Sequence, residues 1–278
     1  MLNNFFIEDH VKKALEEDIG FGDITTDYLT NEDDRMAVEL NSRVEGVLCG
    51  KSVFEMVFKV LSPKVNITFY KNDGDAINKG DKIADIEGPA RYVLLGERVA
   101  LNYIQRMSGI ATETNKYQKA IGSYKAKIVD TRKTTPLFRA FEKYSVKIGG
   151  GSLHRFNLSD CAMIKDNHIK YAGTLTKAVE KLRQHISHAH KIEVECDTFE
   201  QVKEAVACKA DIIMLDNMTL EQMKECVEYI NGRAIVEASG NVNLSTVADI
   251  AATGVDIISS SAIVAKAPTL DLGFDCKE

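Results

Sequence analysis

The sequence predicts an α/β protein in which a small domain of short strands precedes a larger domain of strands and helices. Residues 36–88 carry short apolar stretches separated by glycines, which is typical of strands joined by turns. Residues 90–121 predict one long helix, and after them short apolar runs alternate with helical segments as far as residue 259. Regular alternation of this kind is typical of a parallel α/β barrel or a doubly wound sheet.

The first part of the chain is predicted to begin with an amphipathic helix over residues 6–17. Phe6, Val11 and Leu15 lie near helical spacing there, and Gly20 ends the run. The elements expected next are a strand, a helix and two strands, at residues 37–40, 52–61, 65–70 and 82–86.

The second part is predicted to alternate between strands and helices. The apolar runs that predict strands lie at residues 126–130, 161–164, 192–195, 212–216, 234–239 and 256–259. Helices are predicted between most of them, at residues 175–185, 199–208, 220–230 and 244–253. A barrel is favoured because chemically capable residues recur where the strands end, namely Arg132, Lys133, Lys165, Glu195, Asp216 and Ser239. In a barrel, the carboxyl ends of the strands converge on one mouth.

The composition excludes several classes of protein. Hydrophobic residues make up 45% of the 278 residues and charged residues 27%, which is ordinary for a globular protein. The net charge of -6 gives no global attraction to nucleic acid or to an anionic membrane. A secretory signal and a membrane-spanning run are both missing from the sequence, so a cytoplasmic location is expected. Six cysteines without a Cys-x-x-Cys pair suggest neither a zinc site nor a disulfide framework.

The predicted mouth gathers positive charge in an acidic protein, because His154 and Arg155 also precede one of its strands. Arginine binds carboxylate and phosphate groups through paired hydrogen bonds and lysine supplies a point charge, so the cluster favours a polyanionic substrate. Glu195 and Asp216 suit a Mg²⁺ ion that is shared with the phosphates of such a ligand. Residues 239–241, between a strand and a helix, offer backbone N–H groups to a phosphate.

Three competing motifs are weaker. Residues 46–52 look like a P-loop, but three residues separate the two glycines where the motif needs four. The glycine triplet 149–151 lacks the Rossmann spacing and follows no clear strand. His185, His188 and His190 fall where a helix gives way to a strand, at the barrel end opposite the mouth, so a solvated loop is expected there.

A long string of motifs strongly resembles the quinolinate phosphoribosyltransferases. It comprises residues 130–136 (Asp-Thr-Arg-Lys-Thr-Thr-Pro), Lys143 with Tyr144, the triplet 149–151, His154 with Arg155, and residues 163–169. Shorter matches lie at residues 16–23, 96–98, 108–112, 192–195, 215–217 and 237–240. The resemblance therefore covers nearly the whole chain.

The resemblance implies two domains. An α/β sandwich is expected over residues 1–109, with residues 268–278 returning to it, and an open or incomplete TIM-like α/β barrel over residues 110–267. The family resemblance also implies a homodimer or a higher homo-oligomer in which the sandwich of one subunit covers the barrel mouth of another. Arg98 would then act in trans.

By the same resemblance, the protein converts quinolinate and 5-phosphoribosyl 1-diphosphate to nicotinate mononucleotide, carbon dioxide and diphosphate in de novo NAD biosynthesis. The implied catalytic residues are Lys133, Lys165, Glu195 and Asp216. Glu195 and Asp216 would also face a Mg²⁺ ion bound with the diphosphate, directly, through water or through the diphosphate itself. The implied substrate-binding residues are Arg98, Thr131, Arg132, Lys133, His154, Arg155, Lys165, Glu195, Asp216, Ser239, Gly240, Asn241, Ser260, Ser261 and Ala262.

One departure from the family pattern lies in the last barrel strand. The family usually has a glycine at position 261 and a Thr-His-Ser ending, whereas this chain has Ser261 and Ala265. A serine can still donate its backbone N–H to the 5′-phosphate unless the position needs a positive φ.

Two alternative functions stay open. One is a related phosphoribosyltransferase for another aromatic acid, either nicotinate or the substrate of a molybdate-transport paralogue. The other is a non-catalytic barrel that binds a phosphorylated ligand. The number of cations favours a dicarboxylate, because a single carboxylate would leave buried positive charge uncompensated.

Overall fold

The computed structural model describes residues 2–277, which fold into two compact units. The helices are α1 (Asn4–Ile19), α2 (Thr26–Leu29), α3 (Lys51–Leu61), α4 (Ala90–Ile121), α5 (Arg139–Ile148), α6 (Asp166–Ala172), α7 (Leu175–His185), α8 (Phe199–Ala207), α9 (Leu220–Ile230), α10 (Val247–Ala252) and α11 (Ala262–Ala265). The strands are β1 (Arg35–Ser42), β2 (Gly46–Val47), β3 (Asn66–Phe69), β4 (Ala76–Ile77), β5 (Lys82–Pro89), β6 (Lys127–Val129), β7 (Ala162–Ile164), β8 (Ile192–Cys196), β9 (Ile212–Asp216), β10 (Ile235–Ser239), β11 (Ile257–Ser259) and β12 (Leu272–Cys276). Within the described chain, the first unit takes residues 2–113, 136–149 and 267–277, and the second takes residues 114–135 and 150–266.

The first unit is built on an antiparallel sheet of four strands in the order β12-β1-β5-β3. Alternating side chains of β1 face the core, and Val38 and Leu40 are both buried. Helix α3 contributes Phe54 and Phe58, whose rings lie 5.3 Å apart between centroids in the same core. The predicted small sheet domain is confirmed.

Helix α4 and the C-terminal segment pack closely within the first unit. A Cβ atom on Gly109 would lie 1.9 Å from the carbonyl oxygen of Pro268, so only glycine allows this approach. The Gln105 amide donates to the carbonyl oxygen of Leu272 at 2.6 Å, and Leu270 N donates to the carbonyl oxygen of Gln105 at 3.0 Å. These contacts lead the chain into β12, which pairs with β1.

The second unit is built on a parallel sheet of six strands in the order β6-β11-β10-β9-β8-β7. Read from β7 to β11, neighbouring strands follow each other along the chain, and β6 then pairs with β11 as the first strand of a barrel pairs with the last. The strand order never reverses as it does in a doubly wound sheet. The ladder is open between β6 and β7, so the predicted incomplete barrel is confirmed.

Threonine caps fix where the barrel helices begin. Thr174, Thr198 and Thr219 each accept a hydrogen bond from a backbone N–H in the first turn of α7, α8 and α9. Gln201 and Gln222 complete capping boxes in α8 and α9. The caps follow closely on the ends of β8 and β9, so these strands end beside short loops.

Several boundaries differ from those expected. Helix α10 begins at Val247 rather than at residue 244, because Asn243 and Thr246 close a turn through Thr246 Oγ1 and Asn243 Oδ1 before the helix starts. Residues 136–149, which include α5, group with the first unit by their contacts, although the expected barrel domain included them. Among residues 2–277, no helix is both long and apolar enough to cross a membrane.

Candidate active site

Two adjoining cavities lie at the carboxyl ends of the strands of the second unit. The larger, here called the central cavity, has a volume of about 480 Å³ and is lined by Thr131, Arg132, Lys133, His154, Arg155, Met163, Lys165, Glu195, Met214, Asp216, Ser239 and Ser259. The other, called the loop cavity, has a volume of about 390 Å³ and is lined by Thr131, Lys133, Asp216, Asn217, Ser239, Gly240, Asn241, Val242, Ser259, Ser260, Ser261, Ala262 and Lys266. Together they collect every predicted substrate-binding residue except Arg98.

Strand geometry explains which side chains reach the central cavity. Along β8, Ile192 and Val194 are fully buried, while Glu193 and Glu195 alternate with them and point to the other face. Glu195 lies near the carboxyl end of β8, and Asp216 and Ser239 end β9 and β10 as neighbours in the sheet. The parallel register therefore delivers carboxylates and a hydroxyl to one mouth.

Cations of two kinds line the central cavity. The Lys165 ammonium is paired with Glu195 Oε2, and the Glu195 side chain is only 18% exposed. Arg132 and Lys133 are exposed, and their charged ends form no hydrogen bond or ion pair with any residue from 2 to 277. The paired cation is held in place by the protein, whereas the two unpaired cations are available to an anionic ligand.

His154 lies beneath the central cavity against two buried carboxylates. Its Nε2 atom is 3.3 Å from Glu193 Oε1 and 3.4 Å from Glu237 Oε1. Burial alone would lower the pKa of His154, but the two carboxylates outweigh it and raise the pKa to about 10. Burial also raises the pKa of Glu193, against the opposing effect of His154.

A backbone contact acts against this protonation of His154. Arg155 N donates to His154 Nδ1 at 2.8 Å, and a proton on Nδ1 would break that bond. The carboxylates outweigh that contact, because a neutral ring would leave two buried negative charges uncompensated. Both ring nitrogens of His154 face protein groups. A ligand carboxylate therefore interacts with the charge of the ring at a distance, or forms a hydrogen bond with it only after the ring rotates.

Arg155 is also engaged with the protein. Its guanidinium donates to the carbonyl oxygen of Cys161 at 2.9 Å and lies 3.5 Å from the sulfur of Met163. Arg98 belongs to the first unit, where it lies on α4 with an exposed side chain.

The loop cavity is lined by backbone in unusual conformations. Gly240 has a φ of +93°, and a Cβ atom there would lie 2.2 Å from Asn217 Oδ1, so the position requires glycine. Asn217 and Asn241 also have positive φ, at +54° and +52°. The N–H groups of Gly240 and Asn241 donate to no protein group within residues 2–277, which leaves them for an anion.

A metal ion has two candidate positions in the described chain. His154, Glu193 and Glu237 form the one group of three potential ligands among residues 2–277 whose ligand atoms all lie within 4.8 Å of one another. In the protonated ring, Nε2 carries the proton that faces Glu193 and Glu237, so a metal on Nε2 would have to displace that proton. Glu195 and Asp216 need other ligands, such as phosphate oxygens, to complete a metal site.

Family comparisons match both parts of the chain. The quinolinate phosphoribosyl transferase N-terminal domain model matches residues 23–108, and the corresponding C-terminal domain model matches residues 110–275. The chain belongs to the quinolinate phosphoribosyltransferase family.

Individual members of the family are similar along almost all of this chain. A probable nicotinate-nucleotide pyrophosphorylase (carboxylating) of Synechocystis sp. is 42% identical over 271 residues, which cover 96% of this chain and 92% of that protein. The mitochondrial quinolinate phosphoribosyltransferase (decarboxylating) 2b of Nicotiana tabacum is 40% identical over 96% of this chain and 81% of that protein. The crystal structure of NadC from Streptococcus pyogenes superposes with a TM-score of 0.96 at 40% identity, covering 100% of this chain and 99% of that one.

The departure from the quinolinate phosphoribosyltransferase pattern at Ser261 causes no backbone strain. Ser261 has a φ of -75°, which any residue adopts, so glycine is not required there. Ser260 N and Ala262 N already donate to Val129 O and to Ser260 Oγ, which leaves the Ser261 N–H available among the three.

Sequence reasoning missed two residues that line the loop cavity and two that pair with His154. Lys266 lines the loop cavity and gives it a second cation beside Lys133, although no family motif pointed to it. Asn217 lies in the motif at residues 215–217, but the resemblance implied no substrate-binding or catalytic role for it. Glu193 and Glu237 were also overlooked, although the two-residue period of β8 and β10 places them on the same faces as Glu195 and Ser239.

Proposed function

We propose that this chain is a quinolinate phosphoribosyltransferase that makes nicotinate mononucleotide, carbon dioxide and diphosphate for de novo NAD biosynthesis. The observation that carries the proposal is the junction of the two cavities. Lys133 and Asp216 line both, with cations on one side and phosphate-binding loops on the other. An aromatic acid in the central cavity and a sugar phosphate in the loop cavity would meet at these two residues.

We assign the aromatic acid to the central cavity. Arg132 and Lys133 are unpaired and Lys165 has only Glu195 as a partner, so the cavity offers more positive charge than one carboxylate neutralises. Quinolinate carries two carboxylates. Arg98 of another subunit adds to this set in our proposal, which requires a homodimer or a higher homo-oligomer.

We assign the 5′-phosphate of the sugar to the loop cavity. Its groups are the N–H donors of Gly240, Asn241 and Ser261, with Lys266 as an added cation. Oriented N–H groups at the ends of barrel strands bind phosphate in many barrels.

The carboxylates suit Mg²⁺ bound together with the diphosphate. Asp216 Oδ2 accepts a hydrogen bond from Asn217, so the remaining oxygen of Asp216 is left for a cation, and Glu195 supplies further oxygen ligands. Bound Mg²⁺ would neutralise charge that develops on the departing diphosphate. Its proposed protein ligands are Asp216 and Glu195, directly or through water.

The chemistry follows from position and charge. As the bond from the anomeric carbon to diphosphate breaks, Glu195 or Asp216 stabilises the positive charge on the ribose, and the pyridine nitrogen attacks that carbon. The adjacent carboxylate then leaves as carbon dioxide, because the quaternised nitrogen accepts the electrons, and the ring carbon takes up a proton. Lys133 and Lys165 stabilise negative charge during both steps.

Turnover with defined substrates tests the proposal. Purified protein with phosphoribosyl diphosphate and Mg²⁺ is expected to form mononucleotide and carbon dioxide from quinolinate, and neither from nicotinate. A chelator should stop the reaction, and added Mg²⁺ should restore it. Turnover of nicotinate alone would move the function to a related enzyme, and no turnover with either acid would favour a binding barrel.

A further inference from the structure

Asn217 is the first residue after β9, and its side chain lies between two groups assigned to different ends of the sugar substrate. Its Nδ2 donates to Asp216 Oδ2 at 2.7 Å. Its Oδ1 accepts from Asn241 Nδ2 at 3.2 Å. One amide therefore bridges the carboxylate at the diphosphate end and the loop at the phosphate end.

The backbone fixes this amide in place. Asn217 N donates to the carbonyl oxygen of Ser239 at 3.0 Å, which ties the end of β9 to the end of β10. The amide also fills the space where a Cβ atom on Gly240 would be, since such an atom would lie 2.6 Å from Asn217 Cγ. The positive φ of Asn217, +54°, is one that asparagine tolerates better than most residues.

We propose that Asn217 is a positioning residue that sets the separation between the Asp216 carboxylate and the loop 239–241. This inference rests on the proposed function, because it concerns how the two ends of the sugar substrate are held. Without the amide, the Asp216 carboxylate could rotate away from the diphosphate, and the Asn241 side chain would lose its hydrogen bond to Asn217. Groups that orient ligand-binding carboxylates typically change affinity or activity by about 10–100-fold when removed.

The test variant is Asn217→Gly, with Asn231→Gly as its control. Glycine adopts positive φ freely, so each variant removes only a side chain. Asn231 is also an asparagine at positive φ, +44°, but it caps the C-terminus of α9 and lines neither cavity. Thermal unfolding midpoints of the two variants should agree within about 2 °C, since both lose one exposed side chain.

Binding measurements with simple probes separate positioning from general damage. By calorimetry, inorganic diphosphate with Mg²⁺ should bind Asn217→Gly about 10–100-fold more weakly than the wild type. Ribose 5-phosphate without metal should also bind more weakly, while quinolinate alone should bind within about twofold of the wild type. Asn231→Gly should match the wild type with all three probes.

Two results for the variants would overturn the inference. Affinities of Asn217→Gly that equal those of Asn231→Gly would show that the hydrogen bonds of the Asn217 amide do not affect ligand binding. Equal losses for all three probes would indicate general damage instead of positioning. A wild type that binds the phosphate probes but does not turn over quinolinate would remove the proposed function while the comparison of variants still decides the role of Asn217. A wild type that binds neither phosphate probe overturns both.

Discussion

The two ends of the parallel sheet in the second unit enclose cavities of similar size and different chemistry. At the amino ends, a cavity of about 500 Å³ is lined by Ile212, Ile235 and Ile257, the first residues of three strands. At the carboxyl ends, the central cavity measures about 480 Å³ and is lined by charged and hydroxyl side chains. Cavity volume alone therefore does not distinguish the candidate active site from the opposite end of the sheet.

Charge is distributed differently at the two ends. Glu193 and Glu237 line the amino-end cavity, but they turn inward to His154, so each buried charge has a partner. At the carboxyl ends, Arg132 and Lys133 make no ion pair within the described residues. A buried charge with a partner is already compensated within the protein, whereas a charge held at a cavity without one is available to a ligand.

Replacing one lysine at each end of the sheet by alanine should give the largest difference in activity between the two ends. Lys133→Ala should lower kcat/KM by at least about 100-fold, because the proposed role of its ammonium is to stabilise charge in the transition state. Lys191→Ala, at the amino-end cavity, should stay within about twofold of the wild type. Both activities are measured as mononucleotide formation, with circular dichroism as the check on folding. Wild-type turnover in Lys133→Ala would remove this site from the proposal.

Substitutions of two glutamates on β8 should have different effects, one on activity and the other on stability. Glu195→Ala should lower kcat by about 100-fold with little change in unfolding temperature. Glu193→Ala removes one of the two carboxylates that face His154 and should cost about 2 kcal/mol of unfolding free energy, or roughly 4–8 °C in the melting midpoint. Its kcat at low temperature should stay within about tenfold of the wild type. The reverse pattern would mean that the inner glutamate serves the chemistry.

Some of this architecture could be read from the sequence, and the reasons are physical. Helix α4 was predicted with its observed bounds because 32 residues of helical periodicity allow no other element. Strands β8, β9 and β10 are short apolar runs between capped helices, and they were also predicted. Helices α2 and α11 have four residues each, too few for a period to show, and were missed.

The candidate site was predictable to the extent that it follows strand ends. Lys165, Glu195 and Asp216 meet in one cavity because parallel strands all end at the same side. The position of Lys266 depends on how the chain turns after β11, which no local pattern encodes. The pairing of His154 with Glu237 joins residues 83 positions apart and depends on the order of the strands in the sheet.

Protonation of His154 offers a smaller test of the difference between the two ends. Because the pKa of His154 is raised to about 10 in the folded protein, from an ordinary value of 6.5, its stabilising effect is complete below pH 6.5 and is lost as the pH rises towards 10. The melting midpoint of the wild type should therefore fall by several degrees more than that of His154→Gln between pH 7 and pH 10. Comparison with this variant removes the contribution that other groups titrating in this range make to the melting midpoint. Equal pH dependences of the two melting midpoints would mean that the hydrogen bond from Arg155 N to Nδ1 keeps the ring of His154 neutral.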